Sequence, residues 1–306
     1  MAPTRFLFSI LTKTTLRQLD KFFFGPDKTM WDLVRIGSGL TILLSLGLLG
    51  VSGNYERYYG HYGMLPRPEA IDVVHWPAFL FLMKSDPEWI WRIYWATVAA
   101  ALCLTFGLWT RVAAIATFFL YVATIQRNLM SYNGEAGVLG FTLAALIFAP
   151  TPQRFSLDRL LLKKSLPEVT ESWAARFLQL NICLMYFFTT AGKLTAQWDI
   201  GRGEIWYNIT LCDWFRFPDA EWLRTRWMCW LIVNGSLLLE GSFAILVWTR
   251  LRLLLVLAMM SIHVVIIVLF GNALFFFNVA TIAALCGFLK TIDFKWPKKL
   301  GDLMPK

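Results

Sequence analysis

The chain has 306 residues, of which 57% are apolar and only 16% charged, and its mean hydropathy is +0.54. A soluble domain carries about 25% charged residues, so a water-soluble globular fold is excluded and the lipid bilayer is the expected partner. The formal charge of +9 arises from Lys and Arg in short loops and tails beside apolar runs, which suits anionic headgroups and not nucleic acid.

Residues 5–24, RFLFSILTKTTLRQLDKFFF, mix Phe and Leu with Arg and Lys. That pattern reads as an amphipathic helix lying on the membrane, within an interfacial segment 1–31, and not as a cleavable signal peptide. Eight apolar helices follow, near 32–51, 91–109, 111–130, 134–149, 173–192, 227–248, 252–270 and 272–289. The last two are nearly fused at Gly271-Asn272, and residues 290–306 form a basic tail. The expected fold is all-α: one polytopic helix bundle of about eight transmembrane helices. With the N-terminus in the cytoplasm, seventeen Lys and Arg fall on the inner segments and nine on the outer ones. This bias puts both termini in the cytoplasm, in the inner membrane of the cell. Two outer loops are long, 52–90 and 194–226. The second is dense in Trp, Tyr and Phe and should pack over the bundle as a cap. No internal repeat divides the chain, and five scattered cysteines without a CxxC pair read as buried thiols and not as a disulfide framework.

Ionisable groups at membrane depth are costly and therefore functional candidates. Arg35 lies early in the first helix, Glu135 opens the fourth, Lys193 ends the fifth, Glu240 is central in the sixth and His263 in the seventh. Asn272 and Asn278 follow. Each also has a structural reading. Arg35 and Glu240 are expected to form a structural ion pair, and Gln179 and Asn181 to hydrogen-bond between helices. His263 reads as a satisfied interior histidine, and with no second histidine at helical spacing no metal is expected. Lys193 divides evenly between snorkelling to the interface and chemistry. The bare Ala191-Gly192 beside it and the aromatic loop after it favour an enclosed amine able to act as a base.

The stretch YFFTTAGKLTAQWDIG, ending the fifth helix, resembles the corresponding motif of the vitamin K-dependent gamma-carboxylase family, or HTTM (horizontally transferred transmembrane) domain. YYGHYGMLP, NGEAGVLGFTLAALIFAPTPQRFSLDRLL, Glu240 followed by TRLRLL and His263, and KWPKKL resemble further family segments in the same order. The resemblance implies that Lys193 is the base that deprotonates reduced vitamin K, or a related quinol, for reaction with oxygen. It implies that His263 and Asn133 assist at the reacting centre, with Tyr186, Trp198, Glu135 and Asn272 around the cofactor, and that a small peptide or protein is the substrate. Two features depart from the pattern. Gly134 stands where the carboxylases have a histidine tied to carboxylation, and the sequence reaches Lys306 soon after KWPKKL, without the large soluble domain of the carboxylases.

Three functional readings follow. The first is a membrane enzyme using Lys193 on a quinol. The second is a non-catalytic membrane protein that binds a lipid or assists maturation of, or immunity to, a secreted peptide. The third is a transporter, against which stands the lack of paired Gly/Pro-broken helices in the two halves.

Overall fold

The computed structural model describes residues 15–66, 70, 86–161, 163, 171–194, 201–271 and 274–293. Among the described residues, eight helices of 11–21 residues occupy the expected places: α1 (Trp31–Val51), α2 (Pro87–Phe106), α3 (Thr110–Arg127), α4 (Gly134–Phe148), α5 (Trp173–Lys193), α6 (Arg226–Leu246), α7 (Arg252–Phe270) and α8 (Phe275–Leu285). Among the described residues, four helices, Trp31–Val51, Glu88–Phe106, Arg226–Leu246 and Arg252–Phe270, are long and apolar enough to cross a membrane. The protein is a helical membrane protein. Helices α4 and α8 are apolar and shorter, within 10–17 residues.

The starts and stops follow local chemistry. α2 begins four residues earlier than its apolar run suggests, because the Asp86 side chain accepts from the Glu88 amide at 2.9 Å and Pro87 takes the first helical position. It stops at Gly107, whose φ of +69° suits glycine. A Cβ on Gly107 would also lie 2.6 Å from Ser156 Cβ. α3 is capped across space: Asp158 accepts from the amides of Trp109 and Thr110 and from the Thr110 hydroxyl at 2.7–2.8 Å.

The short helix α8 is the hub, touching α1, α4, α5 and α7. Its buried face is small (Ala280, Thr281, Ala283, Ala284), and Gly37 of α1 lies so close to it that an added Cβ would sit 2.6 Å from Ala283 Cβ. Close backbone approach of this kind gives packing where lipid offers no hydrophobic drive. α2 packs on α1 and on α3, and α3 packs on α4, whereas α5 pairs with α6.

The two ends of the described chain meet. Thr29 bridges to Lys290, and the Met30 amide donates to Leu289 O at 3.0 Å. Residues 15–24 are helical. The last carbonyls of this helix, on Phe22 and Phe23, accept from Ser172 and Arg176 at the start of α5, and the Arg176 guanidinium lies 4.5 Å from the Phe22 ring centre. We call this the termini end of the bundle.

At the far end, residues 201–225 form the expected cap. A short helix, Glu204–Ile209, and a 3₁₀ turn, Glu221–Arg224, pack Trp206, Phe215 and Leu223 onto Val233 and Leu237 of α6 and Phe270 of α7. Trp206 Nε1 donates to Leu223 O at 3.0 Å within the cap, and the Arg216 amide donates to Leu269 O of α7 at 2.9 Å, which ties the cap to the bundle. All five thiols are free.

Candidate functional site

The site grows from one face of α5. Tyr186 and Lys193 are seven residues apart, two helical turns, and share that face. The facing helix α6 answers with Glu240 and Phe243, three apart. Lys193 Nζ donates to both carboxylate oxygens of Glu240, at 2.6 and 2.7 Å. The lysine side chain is 22% exposed and the glutamate 12%, so the pair is neither in open solvent nor sealed. The Tyr186 ring packs edge-on to Phe243, centroids 5.1 Å apart.

From Tyr186 the polar chain continues inward. Its hydroxyl lies 2.8 Å from His263 Nε2 on α7, and His263 Nδ1 lies 2.6 Å from Asn278 Oδ1 on α8. Asn278 Nδ2 donates to Leu274 O at 2.6 Å, which fixes the amide so that its oxygen accepts. That assigns the proton: His263 donates from Nδ1, leaving Nε2 to accept from the tyrosine. Asn278 is fully buried and Tyr186 and His263 nearly so. The Lys193–Glu240 pair thus ties α5 to α6, and the Tyr186–His263–Asn278 run ties α5 to α7 and α8. Thr190, one turn before Lys193, keeps a buried hydroxyl with no hydrogen-bond partner among the described residues, and it faces Gly241, where an added Cβ would lie 3.2 Å from Thr190 Cγ2.

The remaining sequence-derived residues fall elsewhere. Asn133 caps α4, its side chain accepting from the Ala136 amide at 3.1 Å. Glu135 is buried beside it, and both line a cavity of about 190 Å³ with Tyr59, Tyr121 and Ser45. Phenylalanines of α8 stand between this cavity and the Lys193 face. Phe276 lines the cavity, while the Phe277 ring lies 6.0 Å from that of His263. Gly134 abuts the same ring, since a Cβ there would come 2.7 Å from Phe277 Cδ2. The space a side chain at 134 would need is filled by phenylalanine. Trp198 and Asn272 lie outside the described residues.

The expected ion pair between Arg35 and Glu240 is not the one that forms. Arg35 is fully buried at the termini end. Its Nε donates to Gln153 Oε1 at 2.7 Å, its Nη1 to the carbonyls of Leu104 and Thr105, and its Nη2 to Phe155 O at 2.6 Å, with Asp32 3.5 Å away. Those carbonyls end α2, the negative pole of that helix. α1 packs on α2, α4 and α8, whereas α6 packs on α5 and α7, so the two residues belong to different parts of the bundle. Glu240 was legible as a costly charge, but its partner depended on which helices are neighbours. Gln179 does join helices, donating to Gly287 O at 2.8 Å, whereas Asn181 bonds back to Phe177 within its own helix. The sequence reading named Asn278 among the polar residues at membrane depth but gave it no role; the structure makes it the partner of His263.

A model of the HTTM domain matches residues 29–291. The chain belongs to the HTTM family. This is a membrane-domain family related to the vitamin K-dependent carboxylases, and the match takes in every helix of the bundle and both partners of the Lys193–Glu240 pair. No solved structure matches the chain. Membership in the HTTM family supports the order of motifs read along the sequence, from YYGHYGMLP to the histidine of α7.

Proposed function

We propose that this HTTM protein is a multi-pass enzyme of the inner cell membrane, with eight spans and both termini cytoplasmic, in which Lys193 acts as the base on a reduced quinone-type cofactor. The observation that carries the reading is the Lys193–Glu240 pair, bidentate and only partly exposed, on the helix face that also bears Tyr186 and, through it, His263. An amine accepts a proton only after giving up its own. A carboxylate 2.6–2.7 Å away supplies the place for it. One proton passes from Nζ to Glu240, and the neutral amine takes the next from a hydroxyl. The Thr190 hydroxyl, one turn away and without a hydrogen-bond partner among the described residues, offers a hydrogen bond to an oxygen held beside the amine. His263 and Asn278 position the Tyr186 ring on the Lys193 face.

A reduced quinone, when bound, supplies the hydroxyl and the electrons for reaction with oxygen. Phe187 and Phe188 are exposed on α5, as are Leu238 and Ile245 on α6, so the two helices that carry the pair present apolar side chains to lipid. Gly134 stands where the resemblance puts the carboxylases' histidine, and Phe277 packs against it, so the proposal is confined to the oxygen-dependent half of that chemistry. A peptide substrate would be a matter for a partner.

Purified protein in lipid, given vitamin K hydroquinone and oxygen, should yield the epoxide by chromatography. Lys193→Ala should yield none and Glu240→Gln far less. No epoxide from the unaltered protein, or equal epoxide from Lys193→Ala, ends the reading.

A second reading, a non-catalytic protein that binds a lipid or assists a secreted peptide, draws on the same contact, because a lysine held by both oxygens of a carboxylate also serves as a helix clamp. Lys193→Arg separates the two. Arginine keeps the charge but does not give up its proton, so a clamp should tolerate it and a base should not.

A further inference from the structure

At the termini end a groove of about 620 Å³ opens between α1, α2 and residues 154–160, away from Lys193. Its walls are apolar: Ile36 and Leu40 from α1, Phe106 from α2, and Leu157 and Leu160 from the connecting segment. Leu40, Phe106 and Leu160 are 45%, 57% and 58% exposed, so the groove is open on the lipid side. Two arginines, Arg154 and Arg159, complete the lining, and Arg159 Nη1 donates to Arg154 O at 3.2 Å, which draws the two together. Asp158 caps α3, and Asp32 accepts from the amides of Arg154 and Phe155 at 3.2 and 2.7 Å.

The wall is built before any ligand arrives. Arg35, beneath it, holds Gln153 and Phe155; Asp32 holds 154 and 155; Asp158 ties the segment to α3. A groove fixed by buried charge, apolar along its length and cationic at one side, matches one kind of occupant in a membrane. We propose that it binds an anionic glycerophospholipid, with an acyl chain between Leu40 and Phe106 and the phosphate against Arg154 and Arg159. Basic residues that face a membrane surface recognise anionic headgroups by this charge, and arginine suits phosphate by its forked donors.

The test uses the full chain in detergent, offered equimolar phosphatidylglycerol and phosphatidylcholine with the same acyl chains, with bound lipid read by native mass spectrometry. The unaltered protein should retain phosphatidylglycerol preferentially. Each of Arg154→Gln and Arg159→Gln should lower that preference by about five-fold, while Lys163→Gln, a charge lost from the same segment outside the groove, should leave it intact. Leu40→Trp, which fills the groove without changing charge, should lower retention of both lipids. Equal retention of the two lipids by the unaltered protein overturns the proposal. So does an equal loss of preference in Lys163→Gln, which would mark diffuse charge, and so does displacement of the lipid by millimolar inorganic phosphate, which would mark an ion site.

Discussion

A double-mutant cycle on Lys193 and Glu240 tests the assembly of the site independently of any activity. Removing one partner of a buried pair leaves the other charge uncompensated and costs about 3–5 kcal/mol when the pair is fully enclosed. Here the side chains retain 22% and 12% of their exposure, and screening at such sites reduces the effect, so a coupling of about 2 kcal/mol is expected. Lys193→Met and Glu240→Gln should each destabilise the protein, and the double variant should be less destabilised than their sum by that amount. In thermal unfolding followed by tryptophan fluorescence in detergent, the coupling corresponds to roughly 3 °C of midpoint. The same cycle on Arg35 and Glu240 is the internal control. Those residues share no contact and lie on helices that do not pack together, so their effects should add within about 0.5 kcal/mol. Additive effects for Lys193 and Glu240, or coupling between Arg35 and Glu240, would refute the pairing argued above.

Arg35→Met should cost about 4 kcal/mol or more and sharply lower the yield of folded protein, because it strands Gln153 Oε1 and the carbonyls of Leu104, Thr105 and Phe155. Gly134→Ala should destabilise by about 1–3 kcal/mol through overpacking on Phe277, and Phe277→Leu in the same chain should recover part of the loss in the same melt. Nitrogen-15 spectra of histidine-labelled protein should show His263 with its proton on Nδ1; Asn278→Leu should erase that preference, and an Nε2-protonated ring in the unaltered protein would contradict the network. Beyond α8, burial alone would raise the Asp293 carboxyl, but the Arg252 guanidinium at 2.7 Å and the Lys290 amide at 2.8 Å outweigh it and hold it below the usual carboxylate range. A carboxyl depressed in the folded state stabilises fully above its unfolded value of about 4 and loses that contribution as pH falls through the lower folded value. Asp293→Asn should therefore lower the melting midpoint at pH 7, and the difference should shrink below about pH 4 and not between pH 5 and 7.

The helices themselves were written in the local sequence. Apolar runs set their number and place, Asn133 marks the start of α4, and Gly107 marks the end of α2. The Asp86-Pro87 start of α2 was equally local, but the polar and aromatic residues behind it masked the signal. The costly polar residues were legible too, since an ionisable group in an apolar run stands out whatever surrounds it. Lys193, Glu240 and His263 were singled out on that ground, and the family motifs could be read in order along the chain. Partnership was not legible. Glu240 fell to Lys193, and Arg35 to Asp32, Gln153 and the end of α2, because α6 lies against α5 while α1 lies against α2 and α8. Asn133 and Glu135 went to a cavity behind the phenylalanines of α8, and Phe277 took the space beside Gly134. Sequence fixes the depth of a residue along its own helix, because 1.5 Å of rise per residue is a local property. Which side chains face each other is decided only when small residues such as Gly37 and Ala283 choose which helices can touch.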